Sequence, residues 1–341
     1  AFTRRAFASV LRKACSPRWR WLKGKCYTLA FRSFGRLAVC GAPWHAMVIY
    51  SCRGCGTHPK LAVIGGMTYR MGIDVKLILT DIDGTILPYG QRQVSKACVE
   101  AFRAAIGAGI HIGPASGRGQ RWMAPLLGGD EVLCATALAS NGMEVYLDGE
   151  RIHAEVLDRG VLRCLAQVLR AIPGAGLVCF DDATPLLVAG SQADLARCFA
   201  PYAKKSVPVD DVPDCEIVKA NVFFDGDISQ MHDLADRLGR VVGALSFDVP
   251  QAAWLNVMTR GWGKGPAIDV LCERLGIDLT QVAVFGDGGN DVSMLSHVPL
   301  SFAVAGASAD ALAAAHHRIG ACEDDAVAAA IEALAAGAMP T

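Results

Sequence analysis

The sequence predicts an α/β protein: a doubly wound, Rossmann-like parallel-sheet core with an inserted α+β cap domain. Three observations predict it. Short, almost continuous apolar runs end in polar turns, as strands buried on both faces of a parallel sheet do; residues 75–79 and 282–285 are examples. Helical patterns alternate with these runs. Between about 152 and 256 the polar-ended pattern lapses, while strands and helices continue.

The leading segment stands apart. Residues 1–70 hold 13 Lys or Arg and no Asp or Glu, whereas 71–341 hold 20 basic and 33 acidic residues, a net of −13. The zero net charge of the 341-residue chain therefore hides a break just before Met71. A body with that acidic balance does not draw nucleic acid through its overall field, so no nucleic-acid partner is expected. An Arg-rich, acid-free leader reads as a transit peptide, as a basic arm for nucleic acid or anionic lipid, or as upstream translation ahead of a start at Met67 or Met71. Little packed structure is expected in it. Cys52-x-x-Cys55 with His58 is half of a zinc pattern, and no second pair completes four ligands. The other cysteines among the 13 show no framework spacing. They read as small buried hydrophobes in a reducing compartment, which makes a cytoplasmic protein the expectation. A hydrophobic content of 52% excludes disorder throughout. The longest apolar run near the front, 37–50, is too short to span a bilayer and contains Pro43 and His45, so no membrane partner is expected.

The first part of the core is expected over 71–151. Its opening strand, 75–79, ends in Thr80-Asp81-Ile82-Asp83-Gly84-Thr85. A helix follows with Ser95 near its start, and Val94, Cys98, Phe102 and Ile106 recur every four residues. The next strand, 110–115, closes in Ser116-Gly117-Arg118; others are expected at 135–139 and, after Asn141-Gly142, at 144–147. In the cap, 152–256, helices near 157–171, 191–203 and 228–239 alternate with strands at 176–180, 217–224 and 244–249. None of those strand ends carries a polar cluster. The core resumes over 257–341. Lys264-Gly265-Pro266 opens a helix with proline in its first turn, which carries Ile268, Leu271 and Leu275 and stops at Gly276. The strand 282–285 ends in Gly286-Asp287-Gly288-Gly289-Asn290-Asp291, and 309–336 reads as closing helices around a short strand. His316-His317 reads as a solvated helix pair.

In open α/β sheets ligands bind beyond the carboxyl ends of the strands. Four places here combine such an end, or a helix start, with polar residues: Asp81 and Asp83, Ser116, Lys264, and Asp287 with Asp291. Carboxylates gathered in one crevice repel unless a cation sits among them, and hard oxygen donors specify Mg²⁺. The chemistry this suits is phosphoryl transfer. A carboxylate attacks phosphorus, a second one two residues on handles the proton, and Ser116 with Lys264 holds the phosphate. Lys219, in an apolar run, could also reach an anionic substrate. Asn141-Gly142 reads equally as a turn or as a crevice residue, and Trp254 and Trp262 as packing.

The four motifs Asp81-Ile82-Asp83-Gly84-Thr85, Ser116-Gly117-Arg118, Lys264-Gly265 and Gly286-Asp287-x-x-Asn290-Asp291 resemble those of the haloacid dehalogenase superfamily. Their order and spacing are similar to its Cof-type (subfamily IIB) phosphatase branch, which inserts its cap between the second and third motifs. The resemblance covers about 73–336. It implies a Mg²⁺-dependent phosphatase of small phosphorylated metabolites acting through an aspartyl phosphate. It implies Asp81 as nucleophile and metal ligand, and Asp83 as general acid/base with its backbone carbonyl on the metal. Ser116, Gly117, Arg118, Lys264 and Asn290 would bind phosphate, with Asp287 and Asp291 completing the metal site. Two positions depart from the pattern: Ser116 stands where Thr is commoner, and Asn256 where many members carry an acid. A phosphomutase or phosphotransferase on the same scaffold, and a non-catalytic metabolite-binding protein, remain as alternatives. The oligomeric state has no readable signal.

Overall fold

The structure, a computed structural model, describes the backbone of five strands within 26–70 and residues 72–340. Ala1–Ile73 and Asp74–Thr341 are separate compact units. In the first, β1 (Cys26–Ala30), β2 (Arg36–Ala42), β3 (His45–Tyr50), β4 (Leu61–Ile64) and β5 (Met67–Arg70) pair in chain order as an antiparallel meander. That is more backbone pairing than the charge pattern suggests, because Val, Ile, Tyr and Thr in these stretches favour strands whatever the net charge. The Cys52, Cys55 and His58 pattern lies outside the described residues.

The second unit opens with β6 (Leu77–Thr80), α1 (Lys96–Gly107), β7 (His111–Pro114), β8 (Ala137–Ala139), β9 (Glu144–Leu147) and β10 (Glu150–Ala154). The cap elements are α2 (Arg159–Arg170), β11 (Ala175–Asp181), β12 (Thr184–Ala189), α3 (Gln192–Ala203), β13 (Val207–Pro208), β14 (Ala220–Phe224), α4 (Ile228–Val241), β15 (Leu245–Gln251) and β16 (Trp254–Thr259). The core then returns with α5 (Lys264–Leu275), β17 (Val282–Gly286), α6 (Val292–His297), β18 (Leu300–Ala305), α7 (Ala309–Ala314), β19 (His317–Ala321) and α8 (Ala326–Ala335).

The core sheet has the order β19-β18-β17-β6-β7, all parallel. From β6 the chain winds to one side and from β17 to the other, so the reversal falls between these two central strands. A crevice opens there beyond their carboxyl ends. Helix α1 shows how the layers close. Ser95 caps it, its Oγ accepting from the Cys98 amide at 3.0 Å. Cys98, Ala101, Phe102 and Ala105 form the buried stripe, whereas Ile106 is 37% exposed. A strict four-residue step drifts off the face of a helix with 3.6 residues per turn, so the fourth expected position misses the core. Burying Phe102 alone contributes about 1.5–3 kcal/mol.

The cap sheet, β13-β12-β11-β14-β16-β15, is antiparallel except for the β12–β13 pair. Its strands alternate between two apolar faces. Leu177, Cys179, Val222, Leu255 and Val257 pack in one cluster with Leu165 of α2 and Leu238 of α4. Val178, Phe180, Phe223 and Trp254 form the opposite cluster with α3. The sheet runs to Thr259, a little past the expected boundary at 256.

Two smaller expectations change. His317 sits in β19 with its ring 5.1 Å from that of Phe302, and the His316 amide and ring both meet the Ser301 hydroxyl. This is a strand edge packed against β18 rather than a solvated helix pair. Of the eight cysteines described, five are buried, but Cys164 and Cys215 are exposed. Among the described residues no helix is long and apolar enough to cross a membrane.

Candidate active site

Asp81 ends β6 and is 5% exposed, its amide donating to the Phe285 carbonyl of β17 at 2.9 Å. The chain then turns back on Ile82, whose carbonyl accepts from the amides of Thr85, Ile86 and Leu87. Gly84 has φ +84°, and a Cβ there would lie 2.5 Å from Asp287 Oδ2, so backbone and space both demand glycine. Lys264, the first residue of α5, is 1% exposed. Its ammonium donates to Asp81 Oδ1 and Asp291 Oδ1, each at 2.6 Å. Asp291 Oδ2 accepts from the amides of Asp287 and Gly288, each at 2.9 Å. Asp287 accepts from the Thr85 hydroxyl at 2.7 Å on Oδ1, and from the Tyr89 hydroxyl at 3.4 Å on Oδ2.

Burial pushes the Asp81 carboxyl well above the usual carboxylate range; Lys264 opposes the rise and Asp291 adds to it. Burial by itself would lower Lys264, but Asp291 and Asp81 outweigh it and hold the ammonium above its ordinary value. Asp287 is raised by burial, against the Thr85 hydrogen bond. Carboxylate oxygens of Asp81, Asp287 and Asp291 lie within 4.8 Å of one another. Three carboxylates facing one lysine leave an excess of negative charge, and an all-oxygen donor set fits a hard divalent cation. Both oxygens of Asp291 and both of Asp287 already accept hydrogen bonds, whereas Asp81 accepts on Oδ1 alone.

The remaining expected residues fall around this centre. Ser116 is buried at the end of β7, and its Oγ accepts from the Arg118 amide at 3.3 Å. Arg118 forks onto Asp83, Nε to Oδ2 at 2.8 Å and Nη2 to Oδ1 at 2.7 Å. The Asp83 carboxylate therefore lies outside the acidic trio. Asn290, which lines the cavity, donates to Asn141 Oδ1 at 3.1 Å, so the buried Asn141-Gly142 segment supports the crevice wall from behind. Gly142 has φ +88°, and a Cβ there would meet the Gly263 carbonyl at 2.8 Å and Ala267 Cβ at 2.9 Å, next to Lys264. Gly142→Ala is expected to destabilise the fold by about 1–3 kcal/mol and to depress activity by shifting the start of α5. Denaturant titration and turnover check this, and unchanged values for both would show that the contact relaxes freely.

A cavity of about 1060 Å³ lies over the centre, with Asp81, Ser116 and Asp287 among its core lining and Phe180, Lys219 and Trp254 among its cap lining. Lys219 reaches across to donate to the Gly117 carbonyl at 2.8 Å. Trp262 packs as expected, its ring 4.9 Å from His153 and its indole N–H on the Gly142 carbonyl at 2.9 Å. Sequence reasoning misses Tyr89, Tyr202, Asn221 and Asp248; Asn256, noted as a departure from the family pattern, accepts from Asn221 at 2.8 Å and donates to Asp248 at 3.0 Å. Tyr89 lies in a turn, Tyr202 in α3, and Asn221, Asp248 and Asn256 on three different strands, so no linear cluster announces them. The only signal is the alternation Lys219-x-Asn221-x-Phe223 along one face.

The family model of the haloacid dehalogenase-like hydrolases matches residues 78–331. The chain belongs to that family of hydrolases. The 5-amino-6-(5-phospho-D-ribitylamino)uracil phosphatase YbjI of Escherichia coli is 22% identical over 254 residues, which is 73% of this chain and 92% of that one. A phosphoglycolate phosphatase of Methanopyrus kandleri is 28% identical over 235 residues, 68% of this chain and 85% of its own. Among solved structures, a HAD subclass IIB sugar phosphatase shares the fold with a TM-score of 0.66 at 21% identity, covering 76% of this chain and 99% of that one.

Proposed function

We propose that the protein hydrolyses small phosphomonoesters (sugar phosphates, phosphoglycolate or phosphorylated cofactors) with Mg²⁺ and through an aspartyl phosphate on Asp81. The observation that carries this reading is Lys264, buried between Asp81 and Asp291 with Asp287 alongside, at the winding reversal of the sheet. Lys264 holds one oxygen of Asp81 and leaves the other to attack phosphorus, forming the acyl phosphate as the bond to the leaving oxygen breaks. Asp83, once released from the Arg118 fork and protonated, gives a proton to that oxygen, then takes one from the water that cleaves the acyl phosphate at phosphorus, which returns Asp81 and releases phosphate. Ser116 and the amides after it hold the phosphate oxygens, with Arg118 and Asn290 at their edge. Asp81 and Asp287, supported by Asp291 and the Asp83 main chain, would hold Mg²⁺, which supplies neutralisation of charge on the phosphoryl group. The cavity under the cap favours small metabolites over phosphoproteins.

Chelation is expected to abolish phosphate release and added Mg²⁺ to restore it, measured on a panel of phosphorylated metabolites. Full turnover in the chelated protein would remove the metal from this reading. A strict requirement for a bisphosphate activator would replace hydrolysis with a phosphomutase reaction.

A further inference from the structure

The cavity is lined by four cationic side chains, Arg118, Arg121, Arg151 and Lys219. Three are already neutralised: Arg118 by Asp83 at 2.7 Å, Arg121 by Asp182 at 3.0 Å and Arg151 by Glu216 at 2.7 Å. Lys219 alone makes no salt bridge among the described residues. Its ammonium donates to the Gly117 carbonyl at 2.8 Å and lies 5.6 Å from the centroid of the Phe180 ring. An ammonium has three donors, and this geometry commits one of them to a neutral acceptor. The carbonyl it touches belongs to the same turn as Ser116, so the free charge stands beside the expected phosphate position rather than at the rim. The rest of the lining is rich in carboxylates, among them Glu144, Asp181 and Asp248, so a second negative group on a ligand has one favourable place to go.

We propose that Lys219 is a specificity residue for a second anionic group, so that the preferred substrates are phosphomonoesters that also carry a carboxylate or a further phosphate. This rests on the phosphate-site reading above and narrows its substrate class. The rest of the site already handles the reacting phosphate, so Lys219 adds affinity through the second group. Burial lowers the Lys219 pKa to about 8, with Arg118 adding to the fall and Glu144 opposing it. Those groups, with the Gly117 carbonyl and the Phe180 ring, are what the ammonium faces. The charge is therefore present at neutral pH and fades as pH rises through about 8, and the preference fades with it.

Equilibrium binding of non-hydrolysable phosphonates tests this without relying on turnover. Phosphonoacetate and 3-phosphonopropionate carry a second anion, and ethylphosphonate does not. The wild-type protein is expected to bind at least one of the first two about 10-fold more tightly than ethylphosphonate, the scale of a 1.4 kcal/mol contact. Lys219→Met should erase that preference and leave ethylphosphonate binding unchanged. Lys219→Arg should keep it, and should keep it above pH 8, where the wild type loses it. An unaltered preference in Lys219→Met would overturn the proposal. So would equal weakening of all three ligands, which would put Lys219 on the reacting phosphate. Failure of the wild type to bind any phosphonate would sink the phosphate site itself, and this inference with it.

Discussion

Asp81→Asn is expected to lower turnover by about 10⁴-fold or more while leaving the protein folded, the scale on which loss of an enzymic nucleophile registers. The amide is nearly the same size and its oxygen can still accept from Lys264. The buried ammonium also keeps Asp291 at 2.6 Å, so it is not stranded. Stability should therefore change by no more than about 1–2 kcal/mol, the range for one altered hydrogen bond. Phosphate release and a denaturant titration on the same preparation separate the two effects. A loss of only a few-fold would place the nucleophile elsewhere and remove the aspartyl phosphate from the proposed mechanism.

The core was legible because its signals are local. A strand buried on both faces reads as a continuous apolar run, and β17 falls at 282–286 where the run marks 282–285. Helix α5 spans the expected residues because Pro266 suits a first turn and Gly276 takes the left-handed conformation that ends it. The motif carboxylates are readable for the same reason, since each sits where such a run stops. What escapes is pairing between distant segments. Nothing near Arg118 says that it will fork onto Asp83, 35 residues away, and nothing near Lys219 says that it will cross to Gly117, 102 residues away. The cap face that looks onto the cavity is assembled from β11, β15, β16 and the residues leading into β14, and its polar residues alternate with apolar ones that fill the opposite core. A face of that kind becomes visible only once the register is known.

Lys264→Met should damage turnover and stability together, which distinguishes it from the change at Asp81. Methionine fills much of the same space but leaves Asp81 and Asp291 facing each other in the interior without a countercharge. Removing one partner of a buried charge pair typically destabilises by about 3–5 kcal/mol, and here two carboxylates lose the same partner. The pH dependence follows from the directions of the shifts. The Lys264 pKa is raised above 10.5 in the folded protein, so its stabilisation is fully present below that value and is lost only as pH climbs through the raised one. In the variant the dependence keeps this sign but falls at much lower pH. Burial already raises Asp81 above 3.8, and without the lysine nothing opposes that rise, so the folded state gains stability by taking up protons as pH falls. Urea titrations near pH 5.5 and pH 8 should show the variant closer to the wild type at the lower pH. Equal stability at both values would mean that Lys264 is not the countercharge of this cluster, and the arrangement on which the proposed chemistry depends would have to be redrawn.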